Sequence, residues 1–248
     1  MADFNWVLCD TSQAEADAFS TPDRVLALAG ECINANPMSN LRKVSVAGNH
    51  YYVKCYERAG KGLRRYFGRS RVRAEWENLM FFHSIGLPTA RVVAYGEQNG
   101  LTLNRKGILV IQEIRETADL ASRVDDTQAH LGDREWVDRV VRRLAMYIRT
   151  MHEHHFVHND LKWRNILVER SFDPEVYIID CPLGRRVYGP LFRRGVIKDL
   201  ACLDKVAKYQ LPKTMRLRFY KLYRGINQLG DSDRRQLSRI LAFFQGRE

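Results

Sequence analysis

The chain has 248 residues, 45% of them hydrophobic, which suits one globular unit or two small lobes with a buried core. Its net charge of +11 favours an anionic partner such as nucleic acid, an acidic membrane or a phosphorylated substrate. No apolar run reaches the roughly 20 residues that span a bilayer, and the N-terminus lacks the basic and apolar segments of a signal peptide. We therefore expect a cytoplasmic protein that can still sit on a membrane surface.

The first 115 residues are predicted to form a small sheet with one inserted helix. Residues 1–40 show little periodicity, and one helix is expected around Asp23–Asn34. Val44–Val46 and Tyr51–Tyr56 flank the turn sequence Ala47-Gly48-Asn49-His50, which predicts a hairpin. A second helix is expected to end at Gly86-Leu87-Pro88. Two further strands are expected, Arg91–Tyr95 and Ile108–Ile114.

The second half of the chain is predicted to be mostly helical. Between Trp136 and Met151, apolar residues recur at intervals of three and four while arginines fall elsewhere, which indicates a long amphipathic helix. Two short strands, Ile166–Val168 and Val176–Ile179, are separated by the turn sequence Ser171-Phe172-Asp173-Pro174. Three more helices are expected between Gly195 and Phe244.

The strongest chemical signal follows the long helix and reads His158-Asn159-Asp160-Leu161-Lys162-Trp163-Arg164-Asn165. Phosphoryl transfer needs a carboxylate that orients the attacking hydroxyl and an oxygen ligand that holds magnesium against the phosphates. Asp160 and Asn165 can supply both on one tight loop. Asp180, at the end of the strand Val176–Ile179, can chelate the same metal because hard cations take oxygen ligands.

Two further signals lie in the first half of the chain. Lys54 stands among apolar strand residues, where a phosphate partner would explain its charge, and Glu75 on the following helix can pair with it. Each signal is weak alone, since a strand lysine is often solvated and an aspartate after a strand is often a cap. Their order, each on the element that its role requires, favours a phosphotransferase.

These residues resemble those of the protein-kinase-like superfamily, and within it the bacterial lipopolysaccharide kinases, which include Kdo kinase and the inner-core heptose kinases. The resemblance covers about residues 40–210. It implies an α+β, two-lobed fold: residues 1–115 as a β-rich lobe with one helix that binds the ATP phosphates, and residues 116–248 as a helical lobe with the catalytic loop, metal and acceptor site. The supporting stretches are Tyr52-Val53-Lys54-Cys55-Tyr56, Arg73-Ala74-Glu75-Trp76, Gly86-Leu87-Pro88-Thr89-Ala90, the catalytic loop and Lys198-Asp199-Leu200.

The resemblance also implies a role for each matching residue. Lys54 would contact the α- and β-phosphates of ATP, held by Glu75, which fits the spacing to Gly86 better than Glu77 does. Asp160 would be the catalytic base. Asn165 and Asp180 would bind magnesium, and Lys162 would contact the transferred phosphoryl group. The backbone of Gln112, Glu113 and Ile114 would contact adenine. Asp199 would support the catalytic loop.

Three departures from protein kinases bear on the substrate. No G-x-G-x-x-G precedes Lys54, so a short hairpin must cover the phosphates. The metal motif reads Asp180-Cys181-Pro182 instead of Asp-Phe-Gly. No Ala-Pro-Glu follows, and only 19 positions separate Asp180 from Asp199, which argues against a peptide substrate.

The sequence thus predicts an ATP- and Mg²⁺-dependent kinase for a sugar hydroxyl of the lipopolysaccharide inner core, acting at the cytoplasmic face of the inner membrane. The alternatives are a kinase of a soluble small molecule, an atypical protein kinase, or a non-catalytic pseudokinase scaffold, which would not need the intact catalytic set. The basic segments Arg58–Arg73 and Lys213–Arg224 are expected to help hold an anionic glycolipid acceptor. Nucleic acid is not expected as a partner, because no nucleic-acid-binding signature accompanies the charge.

Overall fold

A six-stranded antiparallel sheet organises the first part of the chain in this computed structural model, which describes residues 4–36, 39–56, 69–98, 106–122 and 131–246. The strands lie in the order β1-β5-β6-β4-β3-β2. Their bounds are Phe4–Leu8 (β1), Gly30–Asn36 (β2), Ser39–Val46 (β3), Asn49–Tyr56 (β4), Val92–Gln98 (β5) and Gly107–Gln112 (β6).

The predicted hairpin is present as β3 and β4, with longer strands than expected. Its turn places Ala47 and Gly48 at φ 48° and 77°, the left-handed conformation that two-residue hairpin turns require. Along β4, Tyr51 and Val53 alternate toward the core, where they join Val44 of β3. Because a strand turns successive side chains to opposite faces, this alternation sends Lys54 to the other face of the sheet.

Two short helices precede the hairpin: α1 at Gln13–Ala18 and α2 at Pro22–Ala27. The single helix predicted around Asp23–Asn34 is therefore wrong beyond Ala27, because Gly30–Asn36 pairs with β3 instead. A Cβ atom on Gly30 would lie 2.6 Å from the carbonyl oxygen of Lys43. Only a glycine allows this close strand pairing, which local helix propensity does not anticipate.

Helix α3 spans Arg71–Ser84 and ends where the sequence predicts. Gly86 adopts φ 71°, and the N–H of Leu87 donates to the carbonyl of Phe82 at 2.9 Å, which satisfies an orphan carbonyl at the helix end. The Trp76 indole stacks on the ring of Tyr95 in β5, with centroids 4.3 Å apart, so this face of the helix packs on the sheet.

The second part of the chain is helical with two small sheets. The long predicted helix is α4, and its apolar stripe from Trp136 to Met151 is buried as expected. Three helices follow, the first of which begins at Gly189, earlier than predicted, with Pro190 in its first turn. The bounds are Arg134–Glu153 (α4), Gly189–Gln210 (α5), Lys213–Arg224 (α6), Asp231–Ala242 (α7), Thr117–Asp119 (β7), Phe156–Val157 (β8), Ile166–Glu169 (β9), Val176–Ile178 (β10) and Arg185–Arg186 (β11).

The chain divides into two compact units, described here separately. The first comprises residues 1–81 and 90–114, and the second residues 82–89 and 115–248. Within the second unit, Phe82 packs edge-to-face on Phe156, and the Thr89 hydroxyl donates to the carbonyl of Ile178 at 2.6 Å. The functional division assigned to residues 1–115 and 116–248 stays a prediction. None of the helices in the described part of the chain is both long and apolar enough to cross a membrane.

Candidate active site

The first unit carries the predicted ion pair between strand β4 and helix α3. The Lys54 Nζ atom lies 3.0 Å from each carboxylate oxygen of Glu75, whose side chain is 1% exposed. The Tyr56 hydroxyl also donates to this carboxylate, and Lys54 lies 5.3 Å from the centroid of the Tyr56 ring. Two donors thus satisfy a buried carboxylate and hold the lysine in place, as burial of a charge requires.

Glu77 lies two residues further along α3 and has a different environment. Its carboxylate accepts hydrogen bonds from Arg69 at 2.7 Å and Arg73 at 2.9 Å. Burial alone would raise the pKa of Glu77, but these two arginines outweigh it and hold the pKa below its ordinary value of 4.5. The structure therefore supports the choice of Glu75 as the partner of Lys54.

The predicted hinge, Gln112 to Ile114, follows strand β6. The N–H of Gln112 donates to the carbonyl of Arg91, and the N–H of Glu113 to that of His50, both at 2.9 Å. The Glu113 side chain accepts from Lys43 at 2.6 Å and from the hydroxyl of Tyr52 at 3.2 Å. This anchoring of β3 and β4 by Glu113 was not foreseen from the sequence, and the adenine-binding role of the segment stays a prediction.

The second unit carries the catalytic loop, which folds back on the carbonyl of Asp160. The Asn165 side-chain amide donates to this carbonyl at 2.8 Å, as does the backbone N–H of Lys162 at 2.8 Å. The Lys162 Nζ atom lies 2.6 Å from Asp160 Oδ1. Asp160, Lys162 and Asn165, all predicted to act together, therefore share one tight turn.

His158 connects this loop to the strand that precedes Asp180. Its ring is fully buried; Nδ1 accepts the N–H of Asp160 at 3.3 Å, and Nε2 lies 3.3 Å from the carbonyl of Ile179. Burial lowers the pKa of His158, against the opposing effect of Asp199 and the other nearby acids. The ring is therefore neutral, with its proton on Nε2, and it fixes the backbone on both sides of the site.

Asp199 on helix α5 supports the loop from beneath, as predicted. Its carboxylate is 0% exposed and accepts the N–H groups of His158 and Asn159, each at 2.7 Å. Asn159 adopts φ 65°, a left-handed conformation that these hydrogen bonds help to hold. Asp180 also has a left-handed backbone, at φ 55°.

Two residues that extend this support, His152 and Tyr223, were not identified by the sequence analysis. His152 Nε2 lies 3.4 Å from Asp199, and His152 Nδ1 lies 2.9 Å from the hydroxyl of Tyr223 on helix α6. Burial raises the pKa of Tyr223, so the hydroxyl keeps its proton. The signal in the sequence was a histidine within the last turn of the amphipathic helix, next to buried Met151.

The predicted metal ligands fit a magnesium ion by their chemistry. Because the Asn165 amide nitrogen is used by the carbonyl of Asp160, its Oδ1 atom is left as the acceptor. Asp180 adds a carboxylate, and Mg²⁺ is commonly held by one or two such groups together with substrate phosphates and water. Among the residues that the structure describes, no cluster of three or more His, Cys, Asp or Glu forms another candidate metal site.

Comparison with solved structures identifies the fold. The chain is similar to the structure "WaaP in complex with acyl carrier protein", with a TM-score of 0.75 and 22% identity over 97% of this chain and 96% of that one. The fold is therefore protein-kinase-like. The profile of the Lipopolysaccharide kinase (Kdo/WaaP) family matches residues 34–223, and the chain belongs to this family. No curated protein sequence matches the chain.

Membership of this family confirms the resemblance drawn from the sequence. The protein is a kinase of lipopolysaccharide biosynthesis, and as a kinase it uses ATP. The reading as a non-catalytic scaffold is thereby set aside. The family description covers both Kdo kinases and WaaP, so the sugar that receives the phosphate and the roles of the individual site residues are taken up as proposals.

The two glutamates of α3 provide a test of the ion pair. Glu75→Ala leaves the charge of Lys54 half-buried without its carboxylate, and we expect it to lower the free energy of unfolding by about 3 kcal/mol or more. Glu77→Ala removes two pairs that are more exposed and should cost less than about 1 kcal/mol. Urea denaturation of both variants measures the difference. Equal losses would contradict the buried pairing of Glu75.

The neutral state of His158 predicts a pH dependence of stability. The folded protein resists protonation of this ring, whereas the unfolded chain takes up a proton near its ordinary pKa of 6.5. The stabilisation is complete above that pH and is lost as the pH falls below it, by up to about 1.4 kcal/mol per pH unit. Denaturation between pH 7 and 5 should show a flatter slope for His158→Asn than for the wild type. The exposed His154→Asn serves as control and should keep the wild-type slope.

Proposed function

We propose that this kinase transfers the γ-phosphoryl group of ATP to a sugar hydroxyl of the lipopolysaccharide inner core, on Kdo or heptose. The observation that carries the proposal is the catalytic loop, where Asp160 is held through its backbone by His158 and Asn165 and from beneath by Asp199. A carboxylate carried on a backbone held this firmly suits the positioning role that dominates phosphoryl transfer. Family membership supports the substrate class.

Asp160 acts as the base in this proposal. It orients the sugar hydroxyl and accepts its proton as the oxygen attacks the γ-phosphorus. Lys162 contacts Oδ1 of the carboxylate, so we assign the proton to Oδ2. The same ammonium group offers further N–H donors, which suits it to neutralise charge on the transferred phosphoryl group.

The nucleotide contacts are assigned residue by residue. Lys54 binds the α- and β-phosphates, and Glu75 sets the position of its ammonium group. The backbone of Gln112, Glu113 and Ile114 is assigned to adenine. Asn165 and Asp180 are assigned to Mg²⁺, which when bound neutralises developing charge on the phosphates.

The region after Asp180 supports a sugar acceptor over a peptide. Helix α5 begins at Gly189, and residues 181–188 contain only a turn and the two residues of β11. Peptide kinases dock their substrates on a longer segment at this place in the chain. The short connection favours a small acceptor group, and we propose that it is presented at the cytoplasmic face of the inner membrane.

The two basic segments expected to hold the acceptor contribute less free charge than the sequence suggests. In Lys213–Arg224, Arg216 pairs with Asp204 at 2.6 Å, and Arg224 pairs with Asp233 at 3.0 Å. Arg218 pairs with Asp138. Most of Arg58–Arg73 lies outside the described residues, while Arg69 and Arg73 pair with Glu77. The role of both segments in acceptor binding stays a prediction.

Substitution of the proposed base tests its role. Asp160→Ala should lower phosphoryl transfer by on the order of 100-fold or more, because the hydroxyl loses its positioned proton acceptor. ATP affinity should change little, since the proposal places Asp160 against the acceptor. Steady-state kinetics and nucleotide titration measure the two effects. Near-normal turnover by a folded Asp160→Ala protein would refute the assignment.

The acceptor can be identified by mass spectrometry of lipopolysaccharide from a deletion strain. We expect one phosphate to be missing from the inner core, and fragment ions to show whether Kdo or a heptose has lost it. The wild-type gene should restore the phosphate, and the Asp160→Ala gene should not. An unchanged core would contradict the proposed function, because the enzyme would then act on another substrate.

A further inference from the structure

The segment from Leu183 to Arg194 exposes an unusual set of apolar side chains. Leu183 is 43% exposed, Tyr188 66% and Leu191 63%. Of the eleven large hydrophobic side chains exposed in the described part of the chain, these three lie within nine consecutive residues. Large apolar side chains concentrated in this way indicate an interaction surface, whereas scattered ones do not.

The backbone of this segment is firmly anchored, so its exposure is a feature of the fold. Strand β11 pairs with β8, and the N–H of Val187 donates to the carbonyl of His155 at 3.0 Å. Phe192 is only partly exposed, and its ring packs 5.1 Å from that of His155. The ring of Tyr188 also lies 4.9 Å from that of His155, yet Tyr188 and Leu191 both remain mostly exposed to solvent.

The same segment carries four exposed arginines and no acid. From Leu183 to Lys198 the sequence contains no aspartate or glutamate. Among the described residues, no ion pair involves Arg185, Arg193 or Arg194. This contrasts with Lys213–Arg224, where arginines are neutralised by neighbouring acids. The charge of Arg185, Arg193 and Arg194 is therefore available to an external anion. The four arginines are Arg185, Arg186, Arg193 and Arg194, all exposed.

We propose that residues 183–194 form an interfacial segment that docks the kinase on an anionic bilayer. Leu183, Tyr188 and Leu191 enter the boundary between headgroups and acyl chains, and the arginines bind lipid phosphates. The inference rests on the proposed function and describes how the kinase would reach a membrane-bound acceptor. Strand β11 of the segment pairs with β8, and β8 is followed directly by His158 and the catalytic loop. Docking of the segment would therefore bring a lipid-anchored sugar close to Asp160.

A bilayer fits this composition better than a soluble anion does. A soluble phosphorylated sugar would account for the arginines but leaves exposed leucines without a partner. At a membrane surface, both kinds of side chain are satisfied by the same partner, since phosphates lie directly above the acyl region. Arginine also suits this position because its guanidinium group is weakly hydrated and matches phosphate geometry.

Vesicle sedimentation of the full chain tests the proposal. Wild-type protein is mixed with vesicles of phosphatidylethanolamine and phosphatidylglycerol, and in parallel with neutral phosphatidylcholine vesicles. We expect binding to the anionic vesicles only, weakened as salt rises above about 0.15 M, where the Debye length is about 8 Å. Arg193→Gln with Arg194→Gln should lower the partition coefficient on the order of 10-fold or more. Tyr188→Ser with Leu191→Ser should weaken the binding that persists at high salt.

Arg134→Gln with Arg170→Gln is the matched control, because it removes the same charge from two exposed arginines that form no ion pair among the described residues. Equal losses for the two arginine pairs would overturn the interfacial segment in favour of diffuse attraction. Absence of wild-type binding, or binding of an acidic protein in preference to vesicles, would also overturn it.

Activity of the wild type on detergent-dispersed lipopolysaccharide is measured separately. Activity without segment-dependent vesicle binding defeats this inference alone, and vesicle binding without any sugar phosphorylation defeats the proposed function.

Discussion

The buried carboxylate of Asp199 is the interaction on which the second unit's active-site geometry depends. It accepts the consecutive N–H groups of His158 and Asn159 at 2.7 Å, and a carboxylate without solvent needs such donors to offset its lost hydration. These hydrogen bonds hold the loop at Asn159, whose backbone is in the left-handed conformation and which directly precedes Asp160. Helices α4 and α6 stabilise the arrangement through His152 and Tyr223, so the catalytic loop is positioned by three helices of its own unit.

Burial distinguishes the lysine–carboxylate pair of the first unit from that of the second. The Glu75 partner of Lys54 is 1% exposed and receives a second donor from Tyr56, so this pair is a fixed part of the first unit. Lys162, in contrast, is 47% exposed beside Asp160, which is 23% exposed. A solvated pair of this kind is weak and readily rearranged. One lysine is thus suited to a constant electrostatic role, and the other to respond when substrate arrives.

Charge in this protein has two distinct uses, which the net value of +11 conceals. Arginines on α6 are paired with acids on α4, α5 and α7 and hold helices together. Those of residues 183–194 follow the metal motif without neighbouring acids in the sequence. Composition counts both groups alike, although the arginines of α6 are neutralised by acids while Arg185, Arg193 and Arg194 form no ion pair among the described residues.

The sequence by itself determined the chemistry and the main periodic elements. The amphipathic helix from Trp136, the β3–β4 hairpin and the end of α3 at Gly86 were all predicted, because strong periodicity and turn residues act over a few neighbours. The candidate catalytic residues could be predicted because phosphoryl transfer needs a few residue types in a fixed order. The choice of Glu75 over Glu77 as the partner of Lys54 also followed from its spacing to Gly86.

Only the tertiary structure decided what depends on distant partners. Gly30–Asn36 became a strand because β3 offers a pairing edge, which local propensity cannot register. The support that His152 and Tyr223 give to Asp199 joins residues up to 71 positions apart. Whether an arginine is neutralised or exposed likewise depends on which acids the fold brings beside it. These outcomes are set by packing between elements, and the sequence of each element alone does not contain them.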